Sequence, residues 1–444
     1  MSFSIGSQVF NVERKQPELI RPAKPTPYEI KDLSDLDDQE GLRFQLPGLL
    51  LFQKNELMEG KDPVEVIREA IAKTLVYYYP LAGRSREGPN RKLRVECTGE
   101  GVMFVEAVAD IRLEQFGDSL HPPFPGIEEL LYDVPGSSGV TDCPLLLIQL
   151  TRLNCGGFIF ALRLNHTIID AAGLAQFMQA IGEIARGAST PSVEPIWNRE
   201  LLYARDPPQV TCVHHKCDQM PPPEGTPMIH EEMADRSFFF GPREAAALKK
   251  RLPSNISTST TFDVVTACIW RSRTIALDLI PNEEMRLLCP MNGRGKLKLP
   301  AGYYGNAFVF SIAVATAGEI CENPFEYTVE LVKKAKAEVT EEYIRSFVDL
   351  MVVNGRPHVA AVQGTYLISD NTRSGFGEVD FGWGKPIYGG PALVDVGSVP
   401  GVGCFYLYKT NDKGEKGMVV PVRLPARAMD RFVMELDSMI GSVL

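Results

Sequence analysis

Residues 145–173 read LLLIQLTRLNCGGFIFALRLNHTIIDAAG. Two apolar runs, 145–153 and 158–165, flank Asn154-Cys155-Gly156-Gly157, a pattern that predicts two strands joined by a turn. A helix is then predicted to continue to about Ile184, because apolar residues recur at helical spacing on one face: Leu174, Phe177, Met178, Ile181 and Ile184. His166 therefore lies at a junction between a strand and a helix.

His166 is the candidate general base. A junction on a rigid scaffold is a common place for a catalytic side chain, and histidine is well suited to take a proton near neutral pH. The chain has six histidines, and His166 is the one that follows a strong apolar strand with a second polar residue, Asp170, close behind. Spacing alone leaves a catalytic histidine and an ordinary junction histidine equally open.

Asp170 has three roles open to it. It orients His166, or it caps the helix that follows, since aspartate is favoured at that position, or it pairs with a distant arginine and locks the loop. Its place four residues after His166 is compatible with each role. The sequence slightly favours a structural role over one in a catalytic triad.

Strands and helices alternate on both sides of this stretch. Towards the N-terminus, we predict a buried strand at 44–52, an amphipathic helix at 63–79 and two paired strands within 91–107. Towards the C-terminus, we predict helices and strands at 262–277 (helix), 285–292 and 306–316 (strands), 323–351 (helix), 404–424 (two strands) and 426–440 (helix). The predicted class is α/β or α+β, with two similar domains.

Residues 187–230 separate the two halves. Prolines cluster there and periodic apolar residues are few, which is typical of a linker that crosses the surface. A chain of 444 residues is also long for a single core. We therefore predict an N-terminal domain at 1–200 that carries HTIID, a proline-rich linker at 201–230, and a C-terminal domain at 231–444 that carries DFGWG.

The composition is that of an ordinary globular protein with an acidic balance. The formal net charge is -10, which argues against nucleic acid as a partner, because phosphate contacts need a basic surface. No stretch has the 18 apolar residues of a membrane span, and no signal-peptide pattern is present. The nine cysteines are irregularly spaced, as in a reducing compartment. We expect a soluble cytoplasmic protein without a membrane or nucleic-acid partner.

Other motifs indicate no competing chemistry. CVHHKC at 212–217 lacks the spacing of a zinc finger, so no metal site is predicted. GRGKLKLP at 293–300 lacks the hydroxyl residue of a phosphate-binding loop, and neither GxSxG nor a Rossmann glycine pattern occurs. FGEVDFGWGKP at 376–386 interleaves glycines with aromatic residues, which predicts a buried turn and leaves a catalytic role for Asp380 less favoured.

Taken together, the motifs resemble those of the plant BAHD acyltransferases. HTIID (166–170) matches the HxxxD motif of that family, and DFGWG (380–384) is intact about 210 residues later. Similar family segments are LSDLD (33–37), LVYYYPLAGR (75–84), TTFDVVTACIWR (260–271) and YYGNAF (303–308). The resemblance covers essentially the whole chain.

The resemblance implies a fold and a reaction. The fold is α/β, with two chloramphenicol-acetyltransferase-like domains, mixed sheets and an active-site channel between the domains. His166 at the centre of the channel takes the proton of an alcohol, and the alcohol oxygen attacks the thioester of acyl-coenzyme A. Acyl-coenzyme A is a co-substrate, and no acyl-enzyme, metal or permanently bound cofactor is needed.

The same resemblance implies roles for further residues. Asp170 pairs with Arg294 and points away from the reacting atoms. The strand around Arg294 departs somewhat from the family pattern, with Asn292 and Lys296 where aspartate and arginine are common.

The DFGWG loop is structural in the family, so the resemblance assigns Asp380, Gly382 and Trp383 to shaping the channel. Ser259 and Thr260 are the expected contacts to coenzyme A.

Residues 367–392 and 423–436 are similar to the alcohol acyltransferase clade, which includes benzyl alcohol benzoyltransferases. A small alcohol acceptor, an acetyl or benzoyl donor and a monomeric state are therefore expected. Three alternatives stay open: an N-acyltransferase acting on amines, a taxane-type O-acyltransferase, and a catalytically silent relative that binds a ligand.

Overall fold

The computed structural model describes residues 10–116, 120–214, 232–256, 258–356, 364–395, 403–411 and 414–441. The strands are β1 (Val12–Arg14), β2 (Glu18–Ile20), β3 (Ile30–Asp32), β4 (Gln45–Phe52), β5 (Arg84–Glu87), β6 (Leu93–Glu96), β7 (Val102–Ala109), β8 (Leu146–Leu153), β9 (Phe158–Asn165), β10 (Met233–Phe240), β11 (Glu284–Asn292), β12 (Phe308–Thr316), β13 (Thr365–Asp370), β14 (Tyr388–Pro391), β15 (Gly403–Thr410) and β16 (Lys416–Pro425). The α-helices are α1 (Pro63–Thr74), α2 (Ile127–Leu130), α3 (Ala171–Ala185), α4 (Pro242–Lys250), α5 (Thr261–Leu277), α6 (Ala317–Glu322), α7 (Phe325–Glu338), α8 (Glu341–Val353) and α9 (Ala426–Ile440).

The first large sheet has seven strands. Its order is β1-β7-β8-β9-β4-β14, and β2 also pairs with β7. The predicted hairpin is confirmed, since β8 and β9 are antiparallel and Ile148 faces Leu162. Helices α1 and α3 pack together on this sheet, and their apolar faces enter its core.

The second large sheet has six strands in the order β10-β16-β15-β13-β11-β12. It is mixed, because β13 pairs in parallel with both β11 and β15 while the other pairs are antiparallel. Helices α5, α7 and α9 supply much of its core, in which Trp270 is fully buried. The first sheet is also mixed, through the parallel pair β7–β8. The predicted α/β class is confirmed.

Strand β14 crosses between the two halves of the chain. It follows the DFGWG segment in sequence, yet it pairs with β4 of the first sheet, with Tyr388 opposite Leu51. Phe381 and Trp383 are accordingly buried in the core of the first sheet. The predicted division at 201–230 stays a prediction, and it must accommodate this exchanged strand.

The predicted pairing of two strands within 91–107 is wrong. Both strands exist, but β6 pairs with β3 and β5 in a separate three-stranded sheet, whereas β7 joins the first large sheet. The chain changes sheet at the turn between them, where an added Cβ on Gly101 would lie 2.2 Å from the Ile20 carbonyl oxygen. A short connection with a glycine predicted a hairpin, but partners distant in sequence decided the pairing.

Two predicted helices have different bounds. The helix expected at 63–79 ends at Thr74, and a 3-10 turn at Tyr79–Ala82 follows, with Pro80 in its first turn. The stretch at 323–351 is two helices, α7 and α8, with Thr340 capping the second through a hydrogen bond from the Tyr343 amide.

The described part of the linker is more than a surface crossing. Arg199 is fully buried, and Ile196 pairs with Tyr303 in an isolated bridge. The amides of Thr211 and Cys212 donate to the Ser346 hydroxyl at 3.0 Å each. Residues 206–211 are exposed, so the segment 196–212 crosses the surface and is anchored at several points. The linker assignment stays a prediction, and the proline cluster at 221–227 lies outside the described residues.

Candidate active site

The segment His166–Asp170, called the histidine loop below, joins β9 to α3. Asn165 ends the strand, because its side-chain oxygen accepts hydrogen bonds from the amide and the hydroxyl of Thr167 at 3.1 and 2.7 Å. The His166 amide donates to the Phe44 carbonyl at 3.0 Å, which continues the pairing with β4 by one residue. The histidine is therefore attached to the end of an interior strand of the sheet, and its position in the sequence predicts a place at a strand end.

The His166 ring is half-buried between two aromatic rings. The Phe44 ring lies edge-on with its centroid 5.4 Å away, and the Phe308 ring is tilted at 6.0 Å. Both phenylalanines are themselves half-buried. The base therefore stands against an apolar wall formed from two sheets, since Phe44 immediately precedes β4 of the first and Phe308 begins β12 of the second.

Burial keeps His166 neutral. It lowers the pKa of the imidazole below the ordinary 6.5, against smaller opposing effects of its own carbonyl, of the Asp170 charge and of the Asn306 side chain. The buried Nδ1 atom makes no hydrogen bond of ordinary geometry to any described residue. A neutral imidazole has one nitrogen free to accept a proton, which is the requirement for a general base.

Asp170 combines two of its three predicted roles. It caps α3, since Oδ1 accepts from the Gly173 amide at 2.9 Å. Arg294 donates to both carboxylate oxygens, at 2.7 and 2.8 Å, and the Ala307 amide donates to Oδ2 at 3.1 Å. The expected pairing with Arg294 is thus present. Four donors occupy the carboxylate, so no lone pair is left to orient the His166 ring.

Sequence reasoning missed three residues that hold the histidine loop. The Asn306 side-chain amide donates to the His166 carbonyl at 2.8 Å, and Arg199 donates to the Ile168 carbonyl at 2.8 Å. Asp37 contacts both Asn306 and Arg199. Asp37 and Asn306 lie in the quoted segments LSDLD and YYGNAF, but their contacts depend on partners far away in sequence.

The glycine of YYGNAF leaves room for Arg199. A Cβ added to Gly305 would lie 1.9 Å from the Arg199 guanidinium, so this position needs glycine for the arginine to fit. The guanidinium also packs over the rings of Trp197 and Tyr304, 4.2 and 4.9 Å from their centroids.

The DFGWG loop, residues 380–384, folds onto its own aspartate. Asp380 Oδ1 accepts from the amides of Gly382 and Gly384 at 2.7 and 2.9 Å, and both glycines have positive φ, +108° and +88°. The ring of Phe381 is fully buried, and Trp383 is nearly so.

The DFGWG loop also packs against the far end of α3. A Cβ on Gly182 would lie 2.5 Å from the Asp380 carbonyl oxygen, and Arg186 donates to that same carbonyl. Gly182 is 11 residues beyond Ala171, where α3 begins, or about 16 Å along the helix axis. The geometry places Asp380 away from the His166 ring, and the structural role of Asp380, Gly382 and Trp383 remains our proposal.

Ser259 and Thr260 lie where α5 begins. Thr260 caps the helix, because its hydroxyl oxygen accepts from the Asp263 amide at 3.2 Å and its amide donates to the Asp263 carboxylate at 2.8 Å. Ser259 is buried and its hydroxyl donates to the Ile256 carbonyl at 2.7 Å. Both hydroxyls already have local partners, and contact with coenzyme A stays a prediction.

In the part of the chain that the structure describes, no group of three or more His, Cys, Asp or Glu side chains could hold a metal ion. Only 212–214 of the CVHHKC segment is described, and 215–217 lies outside the described residues. Among the described helices, none has both the length and the apolar character needed to cross a membrane.

Comparison with known proteins shows the family. The model of the transferase family matches residues 10–439. The chain is 62% identical to benzyl alcohol O-benzoyltransferase of Petunia hybrida, over 97% of this chain and 94% of the relative. It is 53% identical to alcohol acyl transferase 1 allele RGb of Malus domestica, over 98% and 96%.

Solved structures show the same fold. Vinorine synthase superposes with a TM-score of 0.72 at 23% identity, over 97% of this chain and 98% of that one. TRI101 of F. sporotrichioides, complexed with coenzyme A and T-2, gives a TM-score of 0.64 at 16% identity, over 90% and 96%. The chain belongs to the transferase family and is an acyltransferase. The resemblance to the BAHD acyltransferases is confirmed.

Proposed function

We propose that this acyltransferase moves an acetyl or benzoyl group from coenzyme A to the hydroxyl of a small alcohol, such as benzyl alcohol or an aliphatic alcohol. The observation that carries the proposal is His166, a half-buried histidine whose pKa is lowered by burial and whose neighbouring carboxylate is committed to Arg294. Relatives named for transfer to benzyl alcohol and to other alcohols support the choice of acceptor and donor.

In the proposed reaction, His166 acts as general base without forming a covalent intermediate. Its free nitrogen takes the hydroxyl proton while the alcohol oxygen attacks the thioester carbonyl carbon, and the carbonyl electrons move onto oxygen. When the carbonyl re-forms, the carbon–sulfur bond breaks and the leaving thiolate takes the proton from the imidazolium. The products are an ester and free coenzyme A, and His166 is neutral again.

The magnitudes are consistent with a single base. General-base catalysis contributes about 10²–10⁴-fold, and much of the remaining acceleration comes from holding donor and acceptor together. We propose that a channel between the two sheets does this. The contact of Phe308 in β12 with His166, at the end of β9, supports that proposal, because it brings both sheets to the base.

The aromatic wall supports an aryl acceptor in particular. Phe44 and Phe308 flank the base and are half-buried. An aryl-methyl alcohol that packs its ring against one of them would bring its hydroxyl towards the imidazole, since aromatic pairs favour edge-on or offset contacts at 4.5–7 Å. Aliphatic alcohols gain less from such a wall.

The coenzyme A contacts, the location and the oligomeric state are proposed from the resemblance to the family. Coenzyme A contacts Ser259 and Thr260 at the start of α5, and the acyl-coenzyme A is consumed as co-substrate. The enzyme acts as a cytoplasmic monomer with no nucleic-acid or membrane partner.

The test is thiol release from acetyl-CoA and benzoyl-CoA with a panel of alcohols and amines. We expect turnover with benzyl alcohol, loss of that turnover in His166→Gln, and normal turnover in the matched control His121→Gln. His121 is buried, and its Nδ1 lies 3.0 Å from the Pro122 carbonyl and 3.2 Å from the Ser237 hydroxyl. Turnover with amines alone would show N-acyl transfer in place of ester formation. Unchanged turnover in His166→Gln would show that His166 is not the general base.

A further inference from the structure

A second Asp–Arg pair lies behind the histidine loop, and it is more deeply buried than Asp170–Arg294. The side chains of Asp37 and Arg199 are both completely inaccessible to solvent, with Arg199 Nε 3.0 Å from Asp37 Oδ2. The removal of two charges from water is expensive, and such pairs give little net stability compared with apolar residues. Stability alone therefore does not explain why Asp37 and Arg199 are buried together.

Asp37 is the hub of the contacts. Its Oδ1 accepts from the main-chain amide and the side-chain amide of Asn306, at 2.8 and 2.9 Å. Its Oδ2 accepts from the amide and the hydroxyl of Ser34, at 3.1 and 2.8 Å, and faces Arg199. Every acceptor position of the carboxylate is used, which fixes Asn306 and Arg199 relative to each other.

The two partners of Asp37 each hold a carbonyl of the histidine loop. Asn306 Nδ2 donates to the His166 carbonyl at 2.8 Å, and Arg199 donates to the Ile168 carbonyl at 2.8 Å. The third anchor of the loop is Asp170, through Arg294. The main chain that carries the His166 ring is therefore held at its beginning, middle and end.

The Asn306 side chain is one of the polar groups near the His166 ring, together with the carbonyl of His166 itself, and both oppose the effect of burial on the imidazole pKa. The two hydrogens of the Asn306 amide are committed, one to Asp37 and one to the His166 carbonyl. Since both partners are acceptors, the orientation of the amide is unambiguous. Asn306 has no hydrogen left for His166 Nδ1, and only its buried, unpaired Oδ1 remains. A neighbour that can only accept favours the tautomer with the proton on Nδ1 and Nε2 free.

We propose that Asp37, Asn306 and Arg199 form a positioning network that holds His166 in the orientation and tautomer of a base acting at Nε2. Asp37 acts through the other two residues. The inference rests on the proposed function, in which His166 takes the acceptor proton. Asp37, Asn306 and Arg199 are positioning residues, because they contact the main chain of the loop and not the reacting atoms.

A purely structural role of the network would leave the protonation of the His166 ring unchanged. If the network only joined the segments around 37, 199 and 306, its loss would lower the stability of the whole protein without a specific effect on the ring. The two nitrogens of His166 therefore have to be observed directly. Their ¹⁵N chemical shifts report which nitrogen carries the proton and at which pH the ring titrates.

The test compares ¹⁵N-histidine spectra and kinetics of the unchanged protein and of Asn306→Ala. This change strands no charge, because Asp37 keeps Arg199, Ser34 and the amide of residue 306. The control is Gln149→Ala, which removes another fully buried amide that donates to a main-chain carbonyl, that of Glu129 at 2.8 Å. Signals of His166 are assigned by their absence in His166→Gln.

We expect a proton on Nδ1 of His166 in the unchanged protein. In Asn306→Ala, we expect shifts towards a mixture of tautomers and a lower pKa, because Asn306 opposes the effect of burial on the pKa of His166. We also expect kcat to fall by about tenfold or more relative to Gln149→Ala, as for a misplaced catalytic group. Absence of either effect overturns the proposal.

Two safeguards keep the result decisive. If Asn306→Ala is not folded, Asn306→Ser takes its place with the same expected outcomes. The spectra need no substrate, so a failure of the proposed function, seen as normal turnover in His166→Gln, is distinguishable from a failure of the network, seen as unchanged nitrogen shifts.

Discussion

The histidine loop and the DFGWG loop both contain an aspartate that accepts main-chain hydrogen bonds, yet they are built in opposite ways. Asp380 binds the amides of Gly382 and Gly384, two and four residues away. Asp170 binds the amide of Gly173, three residues on, but also Arg294 and Ala307, more than 120 residues away. One loop closes on itself and fills the core, whereas the other is held by distant segments.

The difference shows how a loop presents a reactive group. The DFGWG loop buries its aromatic rings, and its aspartate is satisfied by amides of the same loop. The histidine loop has carbonyls fixed by Asn306 and Arg199, while its imidazole stays half-buried and lacks a partner for Nδ1 among the described residues. Because the other segments supply the rigidity, the reactive side chain does not have to supply it.

The largest effect on stability should come from the DFGWG side. Phe381→Ala removes a fully buried ring that lies 5.3 and 5.2 Å from the rings of Phe52 and Phe160. We expect a loss of about 3–5 kcal/mol in the free energy of unfolding, measured by urea titration. The kcat of the protein that remains folded should be nearly unchanged, and a large fall in kcat under conditions where the variant is folded would contradict a structural role for this loop.

Asp170→Asn should lower both stability and activity. It leaves Arg294 without its carboxylate in a place where the side chain is 19% exposed, so we expect a loss of about 3 kcal/mol together with a fall in kcat. The matched control is Asp349→Asn, which breaks a similar pair with Arg205 away from the histidine loop. An equal fall in kcat in the control would show that Asp170 acts through stability alone.

Gly182→Ala probes the contact between the DFGWG loop and α3. Its added methyl would lie 2.5 Å from the Asp380 carbonyl oxygen, so the DFGWG loop or α3 must shift to make room. We expect a loss of about 1–3 kcal/mol in the free energy of unfolding and little change in kcat. Gly377→Ala is the control, since its methyl would meet no atom within 4 Å. Equal melting temperatures for the two variants would contradict the tight packing.

The smallest expected effect is on the pH dependence. Burial lowers the pKa of His166, so the base stays unprotonated below pH 6.5 and loses activity only as the pH falls through the lowered value. The acidic limb of kcat/KM in the unchanged protein should therefore have its midpoint below 6.5. Initial rates are measured over a pH series at a constant substrate concentration. A midpoint of the acidic limb above pH 6.5 would contradict the effect of burial on the pKa of His166.

Local patterns predicted most of the regular elements. The hairpin of β8 and β9, helix α3 and helix α9 follow from period-two and period-3.6 spacing, which depend on neighbours in sequence. The pairing of β6 and β7 was predicted wrongly, and β14 was not predicted at all, because sheet partners are chosen by distant strands.

The candidate site likewise contains residues that local sequence patterns predicted and residues that they did not. His166 and the Asp170–Arg294 pair could be named from motifs, since these residues stand inside recognisable segments. The hub at Asp37 could not, because its contacts join residues 37, 199 and 306, and the exposure of a charged residue cannot be deduced from its type. A buried arginine such as Arg199 contradicts the average preference of its residue type.

The most direct test of the account compares His166→Gln with Asp380→Asn in one thiol-release assay, with the folded fraction of each variant measured by circular dichroism. The asparagine side chain still accepts the amides of Gly382 and Gly384, so we predict normal kcat for Asp380→Asn. For His166→Gln we predict a fall in kcat of about 100-fold or more. Equal losses in the two folded variants, or a larger loss in Asp380→Asn, would contradict the assignment of the base to the histidine loop.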